Sequence, residues 1–271
     1  MDDAPATAPR FERKRPLWYK PTQVSVSCCE RHTRVIPRLL VSVRNALEAQ
    51  TVLQVGCAII DVKEPDHGPL GMASLEVCGE VAEAVAQWNL QSKSHCAVSL
   101  ALGDAPDWES GKTDVGLPAV DYVKLGTAGL RGTDWPRRWR AAFSKIGVAA
   151  GTQRVIVAYA DWQSVRAPDP RDVAMRALEL GCRGMLIDTW GKSGGSVFDF
   201  LSRDELRAIS DTARSNELWF ALAGGLRLES LADVASLQPD VIGIRGAACL
   251  RGRRESVIDA DTLRRFLDAL M

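Results

Sequence analysis

Lysine is scarce in this chain. Of 34 basic residues, only Lys14, Lys20, Lys63, Lys93, Lys112, Lys124, Lys145 and Lys192 are lysines, and the rest are arginines. Arg supplies positive charge wherever charge alone is needed. Only Lys offers an amine that can shed its proton and attack a carbonyl. Histidine is scarcer still, and His32, His67 and His95 show no metal-ligand spacing, so no metal is expected. The seven cysteines, Cys28, Cys29, Cys57, Cys78, Cys96, Cys182 and Cys249, are odd in number and contain no C-x-x-C. Several sit in apolar runs, where a thiol behaves as a small hydrophobe. A reducing, cytoplasmic setting is expected rather than a disulfide framework. No stretch reaches ~18 uncharged apolar residues, so no membrane span is expected. The first residues lack the order of a secretory signal. Neither charge dominates: basic and acidic residues both number 34, with a pI near 6.8. This argues against a nucleic-acid or anionic-membrane surface and leaves room for a local phosphate pocket. No G-x-G-x-x-G follows the first strand, which weakens a dinucleotide fold.

What is present is a repeated unit. Residues 1–36 read as an N-terminal extension, Pro- and Arg-rich and partly mobile, with a short hairpin expected from Gln23–Ser27 and Arg34–Ile36. From there to residue 271 apolar strands alternate with helices. Strands are expected at 39–43, 57–62, 96–100, 119–123, 154–159, 184–187, 218–221 and 241–244. Helices are expected at 44–55, 74–88, 136–146, 171–180, 228–237 and 260–270, and Ser202-Arg203-Asp204-Glu205 opens another with a capping box. Near-continuous Val/Ile/Leu runs suit strands covered on both faces. Alternation implies right-handed βαβ units and a parallel sheet. Eight units predict an α/β fold, a TIM (β/α)8 barrel with a short N-terminal extension, whose catalytic domain spans 37–271. A doubly wound open sheet is the rival.

Three strands carry charge at or near their ends. Ile60-Asp61-Val62-Lys63 places Asp61 and Lys63 two residues apart, on one face of a strand. A charged pair on an inward face costs too much desolvation to be casual packing; it is either a structural ion pair or catalytic. Asp121-Tyr122-Val123-Lys124 adds Lys124 and Asp121, and Leu186-Ile187-Asp188 adds Asp188, with Lys192 in the glycine-rich loop beyond. In a parallel barrel these ends form the active-site face. Clustered amines disfavour one another's protonation, which a Schiff-base amine needs. Gly224-Gly225 after strand seven and Arg245-Gly246 after strand eight fit the phosphate cradle of such barrels, with Arg245 closing on the anion. A second cradle is expected at Gly68–Gly71 and Leu102–Asp104, with Gly71 contributing. Asp161 either caps the next segment or faces the site.

Leu40–Asn45, Ile60–Pro65, Asp121–Gly126, Ala158–Asp161, Ile187–Thr189, Phe198–Leu201, Ala221–Gly224 and Gly243–Ala247 together resemble the (5-formylfuran-3-yl)methyl phosphate synthase family, from about Leu39 to Arg251. The resemblance implies a TIM barrel that condenses two glyceraldehyde 3-phosphates into a furan aldehyde phosphate, a precursor of methanofuran-type one-carbon carriers. Asp61, Lys63, Lys124, Asp188 and Lys192 fall on its catalytic set, with Lys63 on the Schiff-base lysine. Without the resemblance, the sequence leaves Lys63 and Lys192 both open as imine former. Glu64 and His67 stand where the family more often has Asn and a smaller residue, and Gly225 stands where Ser is common. The expectation is an enzyme without metal or organic cofactor, a cytoplasmic homo-oligomer acting on a small phosphorylated aldehyde. Another Schiff-base aldolase, a phosphosugar isomerase and a non-catalytic assembly barrel are the alternatives.

Overall fold

A computed structural model describes residues 36–109, 115–132, 134–191 and 195–271. Eight strands run parallel in it: β1 Arg38–Val43, β2 Ile59–Val62, β3 Ala97–Asp104, β4 Tyr122–Gly126, β5 Gln153–Tyr159, β6 Cys182–Asp188, β7 Trp219–Leu222 and β8 Val241–Ile244. Each pairs with its sequence neighbours, and β1 closes on β8, with Leu39 opposite Ile242 and Leu40 opposite Gly243. The expected TIM barrel is therefore the fold. The helices are α1 Ala46–Val55, α2 Leu75–Gln91, α3 Trp135–Phe143, α4 Pro170–Arg176, α5 Val197–Phe200, α6 Arg203–Ser215, α7 Leu231–Leu237 and α8 Ala260–Leu270. Val115–Gly116 and Ile146–Gly147 form a separate two-residue pairing. The hairpin expected near residues 23–36 lies outside the described residues, apart from Ile36.

Alternation along each strand sorts the side chains. One set points into the barrel: Leu40, Ile59, Ala97, Tyr122, Val155, Leu186, Ala221 and Val241 belong to a single buried cluster. The other set, including Val41, Ile60, Ile156 and Ile187, is equally buried, which is why the strands read as continuous apolar runs. Tyr122 and Trp219 meet edge to face, with centroids 5.5 Å apart, in the lower part of the interior. An added Cβ at Gly184 would collide with the Trp219 ring, so glycine there makes room for the indole.

Helix ends follow local chemistry. Asn45 caps α1 through Glu48 N–H, and Gly56 ends it at φ 94°. Ser74 caps α2, Asp259 caps α8, and Ser202 and Glu205 form the expected capping box at α6. Two strands differ most from expectation. The third was expected at 96–100 but runs Ala97–Asp104, past a register irregularity between Ala101 and Asp104. The fourth was expected at 119–123 but runs Tyr122–Gly126. Asp121 closes off the start: its carboxylate accepts Val98 N–H at 2.8 Å, and its carbonyl accepts Gln153 N–H. Asp121 is therefore at the N-terminal end of the barrel, away from the candidate site, and Lys124 sits mid-strand rather than at a strand end.

Cys57, Cys78, Cys96, Cys182 and Cys249 are all buried and free. Burial pushes the thiols of Cys57, Cys96 and Cys182 up to about 12, and those of Cys78 and Cys249 to about 11. With Cys28 and Cys29 replaced by Ser, the native protein is expected to release under about one equivalent of chromophore from a disulfide reagent at neutral pH. Unfolding in denaturant should release the remaining five. Rapid reaction of several thiols in the native state would contradict this packing.

Candidate active site

The C-terminal end of β2 delivers Asp61 and, just beyond it, Lys63. Asp61 has no exposed surface. Its Oδ2 accepts from Lys124 Nζ at 2.7 Å and from Ser42 Oγ at 3.0 Å. Lys124 lies on β4, so it must reach across β3 to find Asp61. It can do so because the inward residues of β3 are Ala97, Ser99 and Ala101, all small. Registers place Ser42, Asp61 and Ser99 side by side on β1, β2 and β3. Asp61 Oδ1 and Ser99 Oγ are buried without a hydrogen bond among the described residues. One carboxylate oxygen is thus neutralised, and the other is held inside the barrel with its lone pairs unused.

Lys63 is buried, and its Nζ donates to Pro69 O at 3.2 Å. Asp188 ends β6, where its Oδ1 accepts the N–H of Thr189 at 2.8 Å. Asp61, Lys63, Lys124 and Asp188 all line one cavity of about 540 Å³ at the C-terminal mouth, together with Gly224, Gly225 and Gly246. That volume lies in the range of roughly 300–1,000 Å³ usual for small-molecule sites. Four of the five expected catalytic residues therefore converge. The fifth, Lys192, lies outside the described residues.

Gly224 and Gly225 have φ of +91° and +63°. A Cβ at Gly225 would stand 2.6 Å from Gly195 O, and one at Gly224 would stand 2.9 Å from Thr189, so both positions demand glycine. Gly246 opens a one-turn 3-10 helix, Gly246–Ala248, whose first N–H groups have no partner within the helix.

Two expected phosphate contacts are revised. Arg245 lines the cavity, but its guanidinium faces α1 and the loop after β8. Nη1 donates to Glu48 Oε2 and Ser42 O, both at 2.9 Å, and Nη2 donates to Glu48 Oε1 at 3.3 Å and Ser256 O at 3.4 Å. Nε donates to Arg254 O at 2.7 Å. Its five N–H donors are thus matched by protein acceptors, leaving Arg245 as a buried clamp instead of a phosphate ligand. Gly71 is explained by packing: a Cβ there would collide with Glu64 O and His67, while its own N–H goes to Gly68 O. The Leu102–Asp104 segment ends in carboxylates. Asp104 accepts from Tyr159 Oη and Ala128 N–H, and burial raises its carboxyl above the ordinary range. A second phosphate finds no cradle there.

Asp161 is also decided. Its two oxygens accept the N–H groups of Trp190 and Gly191 at 2.8 and 2.7 Å, so it anchors the loop that follows Asp188. Several wall residues escaped the sequence reading. Ser42 lines the cavity, and Glu48, outside it on α1, holds Arg245; neither was singled out in advance. Arg227, Arg251, Arg253 and Arg254 also line the cavity, and the run Arg251-Gly252-Arg253-Arg254 was the available signal.

Both partners of the Lys124–Asp61 pair are nearly sealed from solvent, with side chains 4% and 0% exposed. Removing one partner of such a pair strands the other. Lys124→Met is expected to lower unfolding stability by about 3–5 kcal/mol, and adding Asp61→Asn should recover most of it. Urea unfolding measures both; a loss below about 1 kcal/mol for the single variant would mean that the pair is solvated.

The 4-HFC-P synthase family profile matches residues 39–267 of this chain. Two similar proteins carry the name (5-formylfuran-3-yl)methyl phosphate synthase. That of Methanopyrus kandleri is 36% identical over 242 residues, 86% of this chain and 99% of its own length. That of Methanococcus maripaludis is 33% identical over 224 residues, 80% of this chain and 92% of its own length. Among solved structures, phosphoribosyl anthranilate isomerase from Thermus thermophilus superposes with a TM-score of 0.51 at 16% identity, covering 86% of this chain and 98% of that one. That likeness speaks for the barrel alone. The profile instead spans the Asp61–Lys63 strand end and the Gly224–Gly225 turn, the relatives match over most of the chain, and on that footing the chain belongs to the 4-HFC-P synthase family.

Proposed function

We propose that this chain is a furan-forming phosphate synthase. It condenses two molecules of glyceraldehyde 3-phosphate into (5-formylfuran-3-yl)methyl phosphate, for a methanofuran-type one-carbon carrier. The names of its relatives support the product. One observation carries the chemistry: an amine, Lys63, and a buried carboxylate–amine pair, Asp61 and Lys124, line one cavity with Asp188.

In this reading Lys63 Nζ adds to the aldehyde of one triose phosphate and expels water to give an iminium. Asp61 or Asp188 takes a proton from the adjacent carbon and leaves an enamine. The enamine carbon attacks the second aldehyde, and Lys124 supplies a proton to the oxygen that becomes a hydroxyl. Ring closure, loss of one phosphate, dehydration and release of the amine complete the furan. Overall, one phosphate and two waters leave, which balances the atoms. The Gly224, Gly225 and Gly246 backbone holds a phosphate through N–H groups. Lys192 belongs to the same proposed catalytic set. No helix among the described residues is long and apolar enough to cross a membrane. A cytoplasmic homo-oligomer handling a small phosphorylated aldehyde fits this chemistry.

Incubation with glyceraldehyde 3-phosphate should yield an ultraviolet-absorbing product and free phosphate. Borohydride added during turnover should trap a triose adduct on Lys63, located by peptide mass spectrometry. Lys63→Arg should retain the fold and lose roughly a thousandfold or more in rate. A sugar product without furan absorbance would instead indicate another Schiff-base aldolase. Undiminished turnover by Lys63→Arg would remove the covalent role.

A further inference from the structure

The loop after β8 is built to hold guanidinium groups over the cavity. Leu250 N–H donates to Val257 O at 3.0 Å, and Cys249 bridges Ile258, so the base of the loop is closed like a clasp. Arg245 grips it from beneath, through Arg254 O and Ser256 O, and is itself locked to Glu48. Within this clamped loop Arg251, Arg253 and Arg254 all line the cavity. Arg251 adopts φ +56°, ψ 23°, a left-handed conformation that residues with a Cβ avoid. Arg254 reaches Pro65 O at 3.5 Å, in the segment just past Lys63. Among the described residues neither Arg251 nor Arg253 forms an ion pair. A chain with no net charge has thus gathered three arginines against one carboxylate, Glu255, on a pinned loop at the mouth of its cavity. Guanidinium forks match phosphate oxygens in geometry as well as charge.

We propose that Arg251 and Arg253, with Arg254 beside them, form a second phosphomonoester subsite. It adjoins Gly246, where an added Cβ would stand 3.3 Å from Gly252 O and 3.9 Å from Arg254 Cβ, and it holds the phosphate of the second triose while the Gly224–Gly225 turn holds the first. The identity of that ligand rests on the condensation proposed above; the existence of a second anion subsite does not. A condensation of two phosphorylated molecules must hold two phosphates at once. The Leu102–Asp104 region ends in a carboxylate, Gly71 has its N–H engaged, and Arg227 lines the cavity beside Glu229, so this loop, with three arginines, carries the most positive charge of the wall. Arg245 and Glu48 act as positioning residues for the subsite.

The test uses the full chain and inorganic phosphate as probe, with bound phosphate counted by equilibrium dialysis. Wild type should bind two equivalents, and the variant Arg251→Gly, Arg253→Ser should bind one. Glycine suits the left-handed backbone at position 251, so this variant is expected to fold with an unchanged or raised melting temperature. A control lacking two exposed arginines on the barrel exterior, Arg183→Ser, Arg207→Ser, should still bind two and so separates local binding from net charge. One equivalent in wild type, or two in the double variant, overturns the proposal. With glyceraldehyde 3-phosphate as substrate, the double variant should show KM raised about tenfold or more with a smaller change in kcat, and Arg251→Lys should recover part of that loss. An unchanged KM likewise counts against the subsite. Absence of any furan product from wild type would defeat the proposed reaction, while the phosphate count still decides the subsite.

Discussion

A carboxylate with no exposed surface needs a cation beside it, and Asp61 finds that cation two strands away in Lys124. The contact constrains everything between them. It requires β3 to present only Ala97, Ser99 and Ala101 inward, because a larger side chain would stand in the path of the lysine stem. It requires β2 and β4 to keep their register, because a slip of one residue would turn Asp61 or Lys124 outward. It also divides the barrel interior into two zones. Below lie Tyr122, Trp219 and Val241, an apolar plug. Above lie amines, carboxylates and glycine backbone around open space. The polar groups gather where the strands end, because only there does the interior stop being filled by packed side chains.

A second buried pair, Arg245 with Glu48, completes the upper rim. It ties β8 to α1 and holds the backbone of the following loop. Both pairs are sealed from solvent. Around Arg245 and Glu48 the remaining hydrogen-bonding capacity is met by backbone carbonyls and the Arg44 N–H, the condition under which a buried ion pair avoids being a net burden. Asp61 has Ser42 beside Lys124 on one oxygen only, and its Oδ1 has no hydrogen bond among the described residues. The exposed pairs of the helical shell, such as Arg203 with Asp233, are of a different kind. Solvent screens them, and each contributes little. Rigidity at the mouth therefore comes from two internal contacts and not from the many charges on the surface.

Much of this could be read in advance from local patterns. Strands covered on both faces show as continuous Val/Ile/Leu runs, and Ser202-Arg203-Asp204-Glu205 announces a helix start by side-chain chemistry alone. Asp61 and Lys63 were legible because a period of two is intrinsic to an extended chain. The fourth strand was misplaced because Ala119 and Val120 are as apolar as the residues that follow. What starts the strand is the bond from Val98 N–H to Asp121, an atom more than twenty positions upstream. Arg245 was misjudged for a similar reason. Its neighbours in sequence suggest an open, glycine-lined turn, while its partner Glu48 lies on the first helix, at the far end of the chain.

By itself the sequence determined the barrel, the strands that carry amines and carboxylates, and the turns that only glycine can make. Each of these follows from the conformation of a few consecutive residues. Only the tertiary structure decided which charges meet. It paired Lys124 with Asp61, drew Arg245 into the wall as a clamp and left Arg251 and Arg253 lining the cavity. The physical reason is that an ion pair is set by distance through space, and closing β1 onto β8 brings together side chains that no local pattern relates.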